Sequence, residues 1–146
     1  METSLKVAEF IIKRYCKANK IVEVGVGKKP QTALKLSKAL NAEIIVTDVK
    51  PEVIAPLTKE KKIKAIIDDV FNPNLEIYKG ANLIYAIRPN PEVQGQIVNI
   101  ALRVGADALL KTLNDEWHEV TQTPMKHQTV NYKNVIMHHF LNPKIH

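Results

Sequence analysis

Residues 21–32 read IVEVGVGKKPQT: an apolar run interrupted by Glu23, then Gly25 and Gly27, two lysines, and Pro30 ahead of a helix-forming stretch. The run IVEVGV (21–26) reads as a buried strand. The glycines make a tight turn, and Pro30, tolerated in the first turn of a helix, opens a helix to about Leu40. Strand, glycine turn and helix in this order form the unit in which a parallel sheet presents backbone to a ligand, because glycine leaves no side chain in the way. A dinucleotide fingerprint requires a third glycine where Pro30 stands, so that fingerprint fails. No GxxxxGK[ST] phosphate loop can be placed either.

The same rhythm continues along the chain. EIIVTD (43–48), IKAIID (63–68) and LIYAI (83–87) read as strands, and ADALLKTL (106–113) contains a fifth. Pro51 opens a short helix limited by Pro56, and 92–104 is a helix stopped by Gly105. Ahead of the first strand, Leu5, Ala8, Ile12 and Tyr15 share one helical face, flanked by Val7 and Ile11, and that helix is expected to end near Ala18 and Asn19. Strands of near-continuous apolar residues alternating with helices predict a parallel sheet covered on both faces. After Leu113 the pattern changes. MKHQTVNYK (125–133) and NVIMHHF (134–140) predict an antiparallel pair turning at Tyr132, Lys133 and Asn134. The expected fold is α/β: one Rossmann-like doubly wound domain over 1–146, mostly parallel, with an antiparallel C-terminal strand pair.

Composition limits the function classes. The chain has 146 residues, 45% hydrophobic and 25% charged, and no apolar run approaches the roughly 18 residues that span a bilayer. With neither a signal peptide's apolar block nor a membrane span, a cytoplasmic protein is expected. Cys16 is the sole cysteine, which rules out an internal disulfide, and on an apolar helix face it reads as a small core residue. The net charge of +6 resides in residues 1–40, where nine Lys/Arg face three Glu. That basic region suits a solvated surface or, alternatively, contact with RNA. Aromatics make up 5% of the chain, too few for a single-strand stacking platform.

Carboxylates recur at the strand ends: Glu23 in the first, Asp48 closing the second, Asp68 and Asp69 closing the third. In a parallel sheet these ends face one crevice. The pattern Glu23-x-Gly25-x-Gly27 resembles the first motif of class I S-adenosylmethionine-dependent methyltransferases, with Lys29 at that family's third glycine position. The resemblance implies a sulfonium cofactor, S-adenosylmethionine or a related adenosyl compound. Gly25 and Gly27 would admit it, Glu23 would lie near its amino-acid end, and Asp48 would take the ribose. Asp69 would take the adenine amino group, with Val70 against the ring. Lys28 and Lys29 suit solvent, or a phosphate-bearing ligand in place of a sulfonium one.

The segment LIYAIRPNPE (83–92) departs from the [ND]PP[YF] of amine methyltransferases. Arg88 is a permanent cation that suits a carboxylate or phosphate, or pairs with a strand-end acid such as Asp69. Arg88, Pro89, Asn90 and Pro91 are the substrate-side candidates; no catalytic base is identifiable. An ExGxG turn joined to IRPxPE in so short a chain resembles a small archaeal family of uncharacterised function with a methyltransferase-like sheet, over about Ile21 to Leu113. The resemblance implies the fold and an adenosyl ligand. Methyl transfer also needs a cover for the site, and few residues are spare, so a homodimer is expected if the protein is an enzyme. The alternative is a non-catalytic regulatory or RNA-binding module using the basic first forty residues.

Histidines 127, 138, 139 and 146 lie near the C-terminus. His138 and His139 are adjacent in a strand and point to opposite faces, so no metal site is expected. Trp117 suits packing on the sheet edge. No nucleophile elbow or Ser-His-Asp order appears.

Overall fold

A computed structural model describes residues 2–114 and 118–146; Trp117 lies outside the described residues. The chain begins with α1 (Glu2–Arg14). Its buried stripe is Val7, Ala8 and Ile11, whereas Leu5, expected inside, is 41% exposed. The helix also ends before Ala18. Tyr15 sits just past its end, buried as expected, and its hydroxyl donates to Asp107 Oδ2 at 2.7 Å, whereas Cys16, expected in the core, is exposed.

β1 (Lys20–Val24) follows, then α2 (Gln31–Ala39) and β2 (Glu43–Asp48). β1 stops at Val24 because Gly25 takes φ +68°, a left-handed backbone that ends a strand and that glycine adopts without strain. α3 (Pro51–Leu57), β3 (Lys64–Ile67) and β4 (Leu83–Ile87) continue the alternation. Between β3 and β4 lies a four-residue helix, α4 (Leu75–Tyr78), capped by Asn74 Oδ1, which accepts the Glu76 N–H at 3.2 Å. Four residues are too few for a periodic signal, which is why the sequence does not announce it. α5 (Pro91–Val104) ends at Gly105 with φ +81°, and β5 (Asp107–Lys111) completes the parallel part.

β6 (Lys126–Tyr132) and β7 (Val135–Leu141) form the antiparallel pair. Their two-residue turn has Lys133 at φ 49° and Asn134 at φ 69°, the double left-handed geometry that matches strand twist. The expected turn is therefore present. The seven strands form one sheet in the order β3-β2-β1-β4-β5-β7-β6, with β7 antiparallel to both neighbours. The fold is the mostly parallel, Rossmann-like α/β sheet with an antiparallel flank that the sequence predicts.

Each face has its own core. On one, Ile21, Val46, Tyr85 and Met137 pack under Ala8 and Ile11 of α1 and Leu36 of α2. On the other, Val22, Ile84, Leu110 and Phe140 pack under Ile97 and Ala101 of α5. Each fully buried aliphatic side chain contributes roughly 1.5–3 kcal/mol. β1 and β4 are central and buried on both faces, so the turns that leave their carboxyl ends spring from the middle of the packed sheet.

Candidate functional site at the carboxyl ends of the strands

The strand order runs outward from β1 in one direction and from β4 in the other. Connections leaving these neighbours diverge, which opens a crevice at the carboxyl edge. A cavity of about 490 Å³ occupies it. Gly25 lines it after β1, Thr47, Asp48 and Lys50 around the end of β2, Asp69, Val70 and Phe71 after β3, and Arg88, Pro89 and Asn90 after β4.

Asp48 holds the glycine turn. Its Oδ2 accepts the Gly27 N–H at 3.1 Å and its Oδ1 accepts the Lys50 N–H at 3.1 Å. Each carboxylate oxygen keeps a lone pair, so two backbone bonds orient the group without exhausting it. A Cβ at Gly25 or Gly27 would meet nothing within 4 Å, and both have φ +68°. Backbone conformation therefore requires glycine there, and the space above the turn is open.

The two aspartates after β3 divide their roles. Asp68 accepts the Asn74 N–H at 3.0 Å and the Tyr78 hydroxyl at 2.6 Å, so it closes the loop to α4. Burial and the Asp68 carboxylate together push the Tyr78 phenol well above its usual pKa. Asp69 accepts the Phe71 N–H at 2.9 Å through Oδ1 alone and presents Oδ2 to solvent beside the cavity. Phe71 is 56% exposed, a large apolar ring left on the rim next to buried Val70.

Glu23 lies elsewhere. Strand alternation sends its side chain to the face of Tyr85, away from the cavity that Val24 helps line. It is 4% exposed and accepts the Tyr85 hydroxyl at 2.6 Å. Burial raises its pKa to about 7, with the Tyr85 bond opposing the shift. Gly27 and Pro91 also stand outside the lining, Gly27 as the donor that anchors Asp48 and Pro91 as the first residue of α5. Lys28 and Lys29 are exposed and do not line the cavity.

Arg88 has φ 52°, unusual for a residue with a side chain, and its N–H donates to the Lys111 carbonyl at 2.6 Å, which fixes the turn to β5. Its guanidinium is exposed and forms no ion pair with Asp69 or any other described residue, contrary to the pairing the sequence suggests. Thr47, Val49, Lys50 and Val93 also line the cavity and were not singled out from sequence. Thr47 and Lys50 flank Asp48, which is the signal that points to them.

The histidines separate as strand geometry requires. His139 faces α1, between Phe10 and Tyr15, and burial drives its pKa down to about 4. His138 faces the other way, beside His127 and Phe140. A third ring, His118, enters from the segment between β5 and β6.

The chain matches the model of an uncharacterised protein family, UPF0146, over residues 4–140, and it belongs to that family. A UPF0146 protein of Archaeoglobus fulgidus is 39% identical over 129 residues, 88% of each chain. One from Pyrococcus furiosus is 35% identical over 129 residues, 88% of this chain and 92% of that one. Among solved structures, a putative S-adenosyl-L-methionine-dependent methyltransferase from Methanococcus maripaludis superposes with TM-score 0.69 at 14% identity, covering 97% of this chain and 85% of that one. An RNA methyltransferase from Salinibacter ruber in complex with S-adenosyl-L-homocysteine gives TM-score 0.66 at 11% identity, covering 94% and 91%. At such identities the likeness establishes a methyltransferase-like fold.

Proposed function

We propose that this protein binds S-adenosylmethionine or a related adenosyl compound in the crevice at the carboxyl ends of β1 to β4. The observation that carries the reading is the convergence of Gly25, Asp48, Asp69 and Val70 on one open cavity. Asp48, pre-oriented by two backbone N–H groups, accepts from the ribose hydroxyls. Asp69 accepts from the adenine amino group through its exposed oxygen, while Val70 and Phe71 offer apolar surface to the ring. Glu23, buried against Tyr85 on the other face of β1, supports the strand that carries the turn and does not reach the ligand. Arg88 and Asn90 lie on the acceptor side, where an unpaired guanidinium suits a carboxylate or phosphate. The acids favour a sulfonium ligand; Lys28 and Lys29 stand outside the lining, where Lys50 and Arg88 are the cations.

Methyl transfer is the reaction this site suits. Positioning and exclusion of water supply much of the rate of such a step, and the cavity is open. Exposed Val49 and Phe71 give it an apolar rim, which supports closure by a second copy of the chain or by the methyl acceptor. Calorimetry with S-adenosylhomocysteine tests the reading: binding at one site per chain, abolished in Asp48→Ala, is expected. Absence of binding to the wild-type chain, or binding unchanged in Asp48→Ala, refutes it. A second reading, RNA contact through the basic first forty residues, is favoured by the exposure of Lys28 and Lys29 at the turn. It predicts salt-sensitive RNA affinity that falls when Lys13 and Lys17 are reversed in charge.

A further inference from the structure

Three of the five histidines converge on the antiparallel flank. His127 stands on β6, His138 on β7, and His118 in the segment joining β5 to β6. Register explains the strand pair. Thr129 lies opposite His138 and His127 opposite Phe140, so His127 and His138 are diagonal neighbours on one face. Nε2 of His127 and Nδ1 of His138 are 2.9 Å apart. The ring of His118 closes the group, 4.6 Å from His127 and 5.0 Å from His138 between centroids. One nitrogen from each ring lies within 4.8 Å of the other two.

We propose that His118, His127 and His138 form a binding site for a borderline divalent cation, Zn²⁺ first among them. Three imidazoles around one point are the donor set that Zn²⁺ takes, at about 2.0–2.1 Å per bond, with a fourth position left for water. Hard cations such as Mg²⁺ and Ca²⁺ require oxygen ligands, and this donor set is all nitrogen. Tetrahedral bonds of that length separate ligand nitrogens by about 3.3 Å. The pair on the strands, 2.9 Å apart, opens by about 0.4 Å to reach that spacing, and His118, within 4.8 Å, closes by at most about 1.5 Å. Its Nδ1 takes a 3.2 Å bond from the Val120 N–H, long enough to exchange for a metal bond or to yield as the ring turns. The hydrogen between His127 and His138 leaves that position when the ring carrying it adopts its other tautomer. His127 is exposed and exchanges it with solvent. His138 is 2% exposed, which fixes one ligand in the core while the other two adjust.

The site has a structural role as well. Glu119, next to His118, donates its N–H to Gln94 Oε1 at 2.8 Å, and Gln94 lies in the first turns of α5 beside the cavity-lining Glu92 and Val93. A cation at the three rings clasps the β5–β6 connection to the strand pair and, through Gln94, to α5.

The test uses tag-free, chelator-stripped full-length protein titrated with Zn²⁺ by calorimetry and with Co²⁺ by visible absorption. One equivalent is expected to bind, with tetrahedral Co²⁺ bands that Zn²⁺ displaces and a raised melting temperature. His118→Ala and His127→Ala, neither fully buried, are expected to weaken affinity at least a hundredfold with circular dichroism unchanged, while His146→Ala leaves it intact. Absence of stoichiometric binding, or equal binding by wild type and the His118→Ala/His127→Ala double variant, overturns the proposal. Neither result depends on adenosyl binding.

Discussion

At the crevice, Asp69, Arg88 and Asn90 stand exposed around an open cavity, and the guanidinium has no carboxylate partner among the described residues. Where the end of α1 meets β5 and β7, buried polar groups satisfy one another. Tyr15 donates to Asp107, which leaves the Nε2–H of His139 to donate to the Tyr15 oxygen at 2.6 Å. Asn142, fully buried, donates to the carbonyls of Ala101 and Ala106, and its N–H reaches Asp107 Oδ1 at 2.8 Å. Parallel strands end together and bring their polar termini to one edge, where backbone N–H groups take up part of their hydrogen-bonding capacity and leave the rest open. Around β5 and β7 the buried polar groups interleave and close into the fold, and the three-histidine group on the outer strand pair is the exception. A group that remains open in such a molecule is available for a ligand; a group that is closed holds structure.

Variants of the two regions should therefore fail differently, and the largest effect belongs to the flank. Asn142→Ala removes the buried side-chain amide that bridges the Ala101 and Ala106 carbonyls and should cost about 3 kcal/mol, read by urea unfolding. Next comes Glu23, buried beneath the crevice with its pKa raised to about 7 from an unfolded 4.5. Between those values the native state binds more protons than the unfolded one. Its stabilising protonation is thus complete below pH 4.5 and lost as pH rises through 7. Glu23→Gln, which keeps a partner for Tyr85, should gain about 3 kcal/mol at pH 8 and almost nothing at pH 4. His139 runs the other way, since its pKa falls to about 4 and stability is lost as pH drops from 6.5 toward that value. Comparing Glu23→Gln with wild type at each pH separates the two.

At the crevice, Asp69→Asn should change stability by less than about 0.5 kcal/mol while weakening S-adenosylhomocysteine about tenfold. A matching loss of stability would place Asp69 with the closed groups and break the distinction. The smallest effect belongs to Lys28 and Lys29. Their joint replacement by Ala should change adenosyl affinity less than twofold, and a larger loss would point to a phosphorylated ligand.

Much of this was legible in the sequence, and the exceptions have physical causes. The strands were readable because burial on both faces requires continuous apolar runs, as in Ile44 to Val46. The hairpin turn was readable because few sequences tolerate two left-handed residues, and Asn134 is one that does. Asp48 and Asp69 were readable because parallel strands share an edge. Glu23 stands at the same motif but one residue short of the turn, and the two-residue period of a strand puts it on the opposite face. The boundary of α1 was missed because no glycine or proline marks its end, and Tyr15, whose N–H still reaches the Ile11 carbonyl at 2.8 Å, directs its hydroxyl to Asp107, a contact across 92 positions that no local pattern carries. The histidine cluster was missed for a related reason. Adjacent strand residues do point apart, and the third ring comes from a segment with no periodicity at all.

Backbone amide chemical-shift mapping of the full chain with S-adenosylhomocysteine tests the central claim most directly. The account predicts saturable shifts at Gly25, Val49, Val70, Phe71 and Asn90, with the amides around Cys16 at the far end of the sheet unmoved. Saturable shifts confined to that far end, or none at millimolar ligand, would contradict it.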